Sequence, residues 1–180
     1  MRIISGTARG WKLAAPKGDR VRPTTDRVRE SLFSILGSVH GLAVVDGFAG
    51  TGALGCEALS RGAASCVFVD VHRDSVALVR ENVGRTGVEG SSRVIKGSFP
   101  KEVAGLGGGA VDLVFLDPPY GEDALVAECF EAMARAECVG EGALVVLEQE
   151  AGDALPEHDG FVCEDTRAYG RTRVTLWRVR

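Results

Sequence analysis

The chain has no apolar run long enough to cross a bilayer. None of its segments approaches the roughly 18 consecutive apolar residues that a membrane-spanning helix requires. The residues after Met1 also lack the apolar stretch of a signal peptide. We therefore expect a soluble, cytoplasmic protein with no membrane partner. Its 180 residues and 45% hydrophobic content suit one domain with a substantial core.

A cysteine or histidine pattern typical of a metal site or a disulfide framework is also absent. The five cysteines are widely separated and contain no Cys-x-x-Cys pair, and no histidine stands at ligand spacing from them. An odd number of scattered thiols favours buried, reduced side chains, so we predict no bound metal. The cysteines are Cys56, Cys66, Cys129, Cys138 and Cys163.

A basic overall charge is missing as well, since the net charge is −4. The charges are unevenly distributed along the chain. Residues 1–40 carry eight Lys/Arg against three Asp/Glu, residues 161–180 carry five against two, and residues 41–160 carry eight against twenty. Basic ends around an acidic body suggest that both termini converge on one polyanion-binding face. Solvated surface arginines are the alternative interpretation.

The sequence does contain a regular alternation of short apolar runs and amphipathic segments. The runs cover residues 42–46, 66–70, 93–96, 111–117 and 143–148, and segments such as 53–61 and 73–85 have helical spacing and length. Short continuous apolar runs are typical of strands buried on both faces. We predict an α/β fold with a mostly parallel, doubly wound sheet, which binds ligands at the carboxyl ends of its strands.

The two ends of the chain depart from this alternation. Residues 161–168 and 172–179 predict an antiparallel C-terminal hairpin, and residues 2–4 with 11–13 predict a small N-terminal β-hairpin. Thr24 or Thr25 then caps a helix that runs to about Leu36. We predict one compact unit, in which residues 1–40 form a hairpin and helix extension of a larger domain at 41–180.

A glycine-rich segment closes the first predicted strand and opens a helix. Its glycines, at positions 47, 50 and 52, let the backbone approach a ligand at the helix N-terminus. Their order is not the dinucleotide-binding Gly-x-Gly-x-x-Gly, and the preceding acid favours a cationic ligand over a pyrophosphate. S-adenosylmethionine fits, because it carries an ammonium, a sulfonium and a ribose diol but no phosphate. The predicted cofactor contacts here are Asp46, Gly47, Phe48, Ala49, Gly50 and Gly52.

Further cofactor contacts are expected after the next two strands. Asp70 ends the second predicted strand, 24 residues after Asp46, close to the roughly 20-residue spacing at which an acid meets a ribose diol in such folds. Val71 follows it directly. Ser98 and Phe99, just past the third strand, lie where the adenine ring would rest.

The fourth predicted strand ends in Asp117-Pro118-Pro119-Tyr120. The Asp117 carboxylate and the Pro118 carbonyl can accept the two hydrogens of a planar amino group, and Tyr120 offers an aromatic face for stacking a base. The prolines fix φ and remove competing N–H donors, which makes the loop rigid. These four residues predict methylation of an exocyclic amine, although alone they also suit an ordinary turn.

Four ordered segments together resemble a known family. Residues 2–6 with 9–10 read RIISG and RG, residues 22–33 read RPTTDRVRESLF, residues 48–55 and 57–63 read FAGTGALG and EALSRGA, and residues 117–120 read DPPY. Over nearly its whole length the sequence resembles the RsmD-type 16S ribosomal RNA guanine-N2 methyltransferases. The resemblance implies a class I S-adenosylmethionine-dependent methyltransferase fold, which is Rossmann-like.

The resemblance also implies a substrate and its contacts. A methyl group would pass to N2 of one guanine in 16S rRNA, within the assembled or assembling 30S subunit, and the protein would act as a monomer. Asp117 through Tyr120 would hold that guanine. Two departures from the family pattern concern the cofactor: Gly47 replaces a larger apolar residue, and Ser98 stands where many methyltransferases place an acid. The predicted RNA-binding residues are Arg9, Arg22, Thr24, Arg27 and Arg171.

Other functions compete with this interpretation. A DNA adenine-N6 methyltransferase uses a similar platform, but 180 residues leave little room for a target-recognition domain. A protein-glutamine methyltransferase usually has Asn where Asp117 stands. A non-catalytic RNA-binding assembly factor would not need both the glycine-rich segment and Asp117 through Tyr120, and a nicotinamide dehydrogenase would need another glycine order.

Overall fold

The computed structural model describes residues 1–15, 26–106, 110–136 and 138–180. Within them lies one mixed sheet. Its strands are β1 Ala43–Asp46, β2 Ser65–Asp70, β3 Ser92–Lys96, β4 Leu113–Leu116, β5 Leu144–Glu150, β6 Phe161–Tyr169 and β7 Thr172–Val179. Their order is β3-β2-β1-β4-β5-β7-β6. The pairs among β1 to β5 are parallel, and β7 is antiparallel to both β5 and β6.

Helices cover both faces of this sheet, so the predicted doubly wound α/β architecture with a C-terminal hairpin is confirmed. Alternate residues of β4 enter opposite cores: Leu113 and Phe115 pack with α1 to α3, while Val114 and Leu116 pack with α4 and α5. The helices are α1 Asp26–Leu36, α2 Ala53–Ser60, α3 Arg73–Thr86, α4 Phe99–Glu102 and α5 Asp123–Arg135, with 3₁₀ turns at Glu89–Ser91 and Val103–Gly105.

The predicted N-terminal hairpin is present as a short antiparallel pairing of residues 1–3 with 11–13, and it packs on α2. Arg2 and Lys12 form a single antiparallel bridge. Beside it, the Ile3 N–H donates to the Trp11 carbonyl at 3.0 Å and the Leu13 N–H to the Met1 carbonyl at 3.2 Å. The backbone N–H groups of Ile4 and Ser5 donate to the buried Glu57 carboxylate, at 2.7 and 3.0 Å. Glu57 is fully buried and also accepts a hydrogen bond from Arg61 at 2.7 Å.

Most predicted elements lie within one or two residues of their observed bounds. The largest differences, of two residues, are in the fourth strand, predicted at 111–117 and observed at Leu113–Leu116, and in the fifth, predicted at 143–148 and observed at Leu144–Glu150. Helix α5 was not predicted from the sequence. The predicted helix cap at Thr24 or Thr25 lies outside the described residues.

Three further features concern the described part of the chain. No helix there is long and apolar enough to cross a membrane. No group of three or more His, Cys, Asp or Glu side chains there is arranged to hold a metal ion. All five cysteines are free thiols, of which Cys56, Cys66 and Cys129 are buried.

Candidate active site

The parallel strands bring the sequence-predicted segments to one edge of the sheet. Asp46 at the end of β1 pairs with Phe115 of β4, and Leu116 pairs with Leu147 of β5. At these carboxyl ends lies a cavity of about 520 Å³, a size typical of small-molecule sites. Its lining is Gly47, Phe48, Gly50, Asp70, Val71, His72, Ser75, Gly97, Ser98, Phe99, Asp117, Pro118, Pro119, Tyr120, Leu125 and Glu148.

This lining contains all four predicted catalytic residues and seven of the ten predicted cofactor residues. The three that do not line the cavity are Asp46, Ala49 and Gly52. Among the described residues that do line it, none is Lys or Arg, whereas three are Asp or Glu. Such a lining attracts a cation and disfavours a ligand that carries phosphate.

Asp70 fixes the glycine-rich loop to the end of β2. Its Oδ2 accepts a hydrogen bond from the Gly50 backbone N–H at 2.9 Å, and its Oδ1 accepts one from the His72 N–H at 2.8 Å. Gly50 has a φ of 52°, in the left-handed region that glycine adopts without steric cost. The carboxylate therefore sets the shape of this wall and keeps further lone pairs for a ligand.

Asp46 is buried beneath the same loop. Its Oδ2 accepts a hydrogen bond from the Gly55 N–H of α2 at 3.0 Å. The pKa of Asp46 is raised from 3.8 to about 7. Burial is the largest cause; the Gly55 bond lowers the pKa, and the charge of Asp70 raises it. Asp46 thus holds the start of α2 against β1, and its direct contact with a cofactor stays a prediction.

Gly47 is accounted for by close packing. A side chain there would place its Cβ 2.7 Å from the Phe99 ring and 2.9 Å from Leu116. Phe99 itself is buried beside Phe48, with 6.4 Å between the ring centroids. The larger residue common at this position would collide with Phe99, which already occupies that space.

Asp117 follows β4 directly and is half-buried in the cavity wall. Burial raises its pKa well above the ordinary value, and the nearby charges of Glu148 and Asp46 raise it further. The carboxyl group therefore stands among other acids and holds its proton more strongly than an exposed aspartate does.

Tyr120 is positioned by the C-terminal hairpin. Its hydroxyl lies 2.9 Å from Oγ1 of Thr172, at the start of β7, while 37% of the residue remains exposed. At the end of β6, the hydroxyl of Tyr169 lies 2.6 Å from Oγ of Ser31 in α1. The hairpin tip thus touches both α1 and the loop that follows β4.

The predicted RNA-binding residues are only partly described. Arg9, Arg27 and Arg171 are exposed, and Arg171 pairs with Glu150 at 2.5 Å. Arg171 precedes Thr172, whose hydroxyl contacts Tyr120 at 2.9 Å, so this arginine lies beside the loop that follows β4. Arg22 and Thr24 lie outside the described residues.

The sequence reasoning missed five cavity residues. Glu148 had a detectable signal, because it ends an apolar run in the same way as Asp117 does. Neither the order of residues nor their spacing distinguished the others, which are brought in by the turns after β2 and β3, by the first turn of α3 and by α5. The missed residues are His72, Ser75, Gly97, Leu125 and Glu148.

Comparison with known proteins shows the family to which this chain belongs. The family model described as "Conserved hypothetical protein 95" matches residues 1–178. Ribosomal RNA small subunit methyltransferase D of Escherichia coli is 38% identical over 87% of this chain and 78% of that protein. The chain belongs to the RsmD family.

Other relatives of this RsmD-family chain match it over its whole length. YlbH of Bacillus subtilis is 34% identical over 100% of both chains. The solved structure of YhhF from Escherichia coli is 31% identical, covers 100% of this chain and 98% of that one, and superposes with a TM-score of 0.88. With the strand order described above, this likeness confirms the predicted class I methyltransferase fold.

Proposed function

We propose that this chain transfers a methyl group from S-adenosylmethionine to the exocyclic N2 of a guanine in 16S rRNA. The observation that carries the proposal is the single cavity that Asp117 through Tyr120 share with the glycine-rich loop and Asp70. A cofactor wall and an acceptor platform for a planar amine thus face the same space. The family relatives named as rRNA small subunit methyltransferases support the same assignment.

The cavity residues fit S-adenosylmethionine. Acidic side chains without Lys or Arg among the described lining suit its two cationic groups. Asp70 would hold the ribose diol, and Phe99 and Ser98 would bound the adenine. When bound, S-adenosylmethionine supplies an electrophilic methyl group at its sulfonium.

The guanine would be turned out of its stack to enter the cavity. Tyr120 would stack on the ring and fix its plane, while Asp117 and the Pro118 carbonyl accept the two N2 hydrogens. Thr172 holds the Tyr120 hydroxyl at 2.9 Å, so the stacking face is oriented before the base arrives. Positioning of this kind removes much of the entropic cost of aligning a poor nucleophile.

Asp117 also stabilises charge that appears only during the reaction. The N2 nitrogen becomes cationic as its bond to carbon forms, and the neighbouring carboxylate and carbonyl oxygens lower the energy of that state. Stabilisation confined to the transition state raises kcat. The neighbouring acids Glu148 and Asp46 strengthen this effect, because their field favours a cation in the cavity.

The rRNA partner would bind across the basic ends of the chain. Contacts of the hairpin tip with α1 and with Tyr120 support such a site beside Arg171, and Arg9, Arg27 and Arg171 are all exposed. Arg22 and Thr24 complete the proposed RNA contacts. The protein would act in the cytoplasm as a monomer, on the assembled or assembling 30S subunit.

The test is methyl transfer from labelled S-adenosylmethionine to small ribosomal subunits, protein-free rRNA and duplex DNA in parallel. Mass spectrometry of the nucleosides identifies the product. N2-methylguanosine from subunits or rRNA is the expected result. N6-methyladenine from DNA would assign the chain to the DNA methyltransferases, and cofactor binding without any transfer would make it an assembly factor.

A further inference from the structure

Glu148 and Asp117 occupy equivalent places at the ends of neighbouring strands. In the parallel ladder of β4 and β5, Leu116 lies opposite Leu147. The next residues along both strands are Asp117 and Glu148, whose side chains point to the same face of the sheet because strand side chains alternate. Both residues line the cavity.

The two carboxyl groups are close enough to interact. After burial, the Glu148 charge is the largest cause of the raised pKa of Asp117, and Asp46 follows it. The other titratable residues of the described lining are Asp70, His72 and Tyr120. Asp117 and Glu148 therefore form a pair of adjacent acceptors beside the platform for the base.

Guanine presents two adjacent kinds of donor on its Watson–Crick edge, N1–H and the N2 amino group. A carboxylate accepts hydrogen bonds and donates none when ionised, so two neighbouring carboxylates complement this edge. Adenine and 2-aminopurine carry an acceptor at N1. A carboxylate facing that nitrogen would be left without a donor, which costs binding energy in a desolvated pocket.

We propose that Glu148 accepts the N1–H of the target guanine while Asp117 accepts an N2–H, so that Glu148 determines the specificity for guanine. The inference rests on the proposed function and deepens it. Asp117 can accept a hydrogen bond from any exocyclic amine, whereas Glu148 requires a donor at ring nitrogen N1 beside that amine. Selection of the base then belongs to the catalytic core and needs no separate recognition domain.

The test compares rRNA that carries guanine at the target position with rRNA that carries 2-aminopurine there, in the substrate form that wild type methylates. 2-Aminopurine keeps the N2 amine and replaces N1–H by an acceptor. Wild type should favour guanine by about 10- to 100-fold in kcat/KM. Glu148→Gln should narrow this ratio at least tenfold, because an amide can donate to N1 of 2-aminopurine or accept from N1–H of guanine.

The ratio of the two substrates is measured within one variant, so a general loss of folding cancels. Glu141→Gln is the matched control, since Glu141 is exposed in the turn at the opposite end of β5; its ratio should equal that of wild type. A second readout is the pH profile: removal of the Glu148 charge should lower the pKa of Asp117 and move the acid limb to lower pH.

An equal loss of both activities in Glu148→Gln, or an unchanged ratio, would overturn the specificity role while leaving guanine methylation in place. Failure of wild type to transfer methyl groups to guanine would overturn the proposed function and this inference together. The wild-type reaction on guanine therefore separates the two failures.

Discussion

The parallel strands and the C-terminal hairpin bury different shares of their residues. All four residues of β4 are buried, as are three of the four in β1. In β6, at the sheet edge, only Phe161 of nine residues is buried, and the register shifts between Cys163 and Asp165. The central parallel strands form the interior of the molecule, whereas β6 of the hairpin supplies a surface, and β7 between them buries five of its eight residues.

The same contrast extends to charge. Strand ends and loops of the parallel part place acids in or behind the cavity. In the hairpin, by contrast, Arg171 pairs with Glu150 and Arg178 with Glu164 in solvent. The methyl-transfer step is therefore expected to depend on residues of the parallel part. Positioning of the base and binding of RNA are expected to depend on the hairpin.

The sharpest way to break this comparison is to replace Asp117 with alanine. We expect kcat to fall by about 10³-fold, the scale seen when a preorganised transition-state contact is lost. Affinity for S-adenosylmethionine, measured by calorimetry, should change less than about twofold, because Asp70 and the glycine-rich loop remain. Asp159→Ala, in the exposed turn before β6, is the control. Loss of cofactor binding together with turnover would assign Asp117 a structural role.

Asp46 tests whether the parallel part also sets the pH dependence of stability. Its pKa rises from 3.8 in the unfolded chain to about 7 in the fold. The proton bound in the folded state therefore stabilises the protein at low pH, and this contribution is lost as pH rises from about 4 to about 7. Between pH 5 and pH 8, the free energy of unfolding of Asp46→Asn should therefore fall by about 2 kcal/mol less than that of wild type, since an amide keeps the bond to Gly55 without a charge.

Urea unfolding of wild type and Asp46→Asn at pH 5 and pH 8 measures this difference. Asp159→Asn, which changes an exposed carboxylate, should retain the wild-type slope. Equal slopes in wild type and Asp46→Asn would mean that Asp46 is ionised in the fold at low pH.

The parallel part was also the easier one to predict from sequence. A strand buried on both faces must be apolar along its length, so the runs ending at Asp46, Asp70 and Glu148 revealed their strands. The acids at these ends then fell on one edge by the geometry of a parallel sheet. Local sequence therefore sufficed for most of the cavity.

What the sequence could not predict depends on contacts between distant residues. The N–H groups of Ile4 and Ser5 donate to the Glu57 carboxylate, which lies 53 and 52 positions away in sequence. The bond from Tyr120 to Thr172 joins residues 52 positions apart. Glycine at position 47 departs from the family pattern, and the reason is visible only in the structure, where the Phe99 ring leaves no room for a side chain.

Thr172 tests whether the hairpin contributes to catalysis through positioning alone. Thr172→Val keeps the side-chain shape but removes the hydroxyl that bonds to Tyr120. We expect kcat/KM for rRNA to fall by about tenfold, the scale of one hydrogen bond of roughly 1.4 kcal/mol. Thr172→Ser should restore activity, and Tyr120→Phe should cause the same loss as Thr172→Val. If the two losses add in the double variant, the bond between these side chains is not the cause.

Substitution of Arg171 should have the smallest effect. It distinguishes a local contact between Arg171 and a phosphate from an effect of the total charge of the hairpin. Arg171→Gln should weaken rRNA binding a few-fold and reduce the salt dependence of log K by about one, the loss of one phosphate contact. Arg178→Gln is a matched control, because Arg178 also pairs with a glutamate at 2.5 Å but lies near the far end of β7, away from the cavity. Both variants should keep the stability of wild type, since exposed ion pairs contribute little. An equal loss of RNA affinity in both would mean that the hairpin acts through its total charge, and that its tip makes no contact of its own.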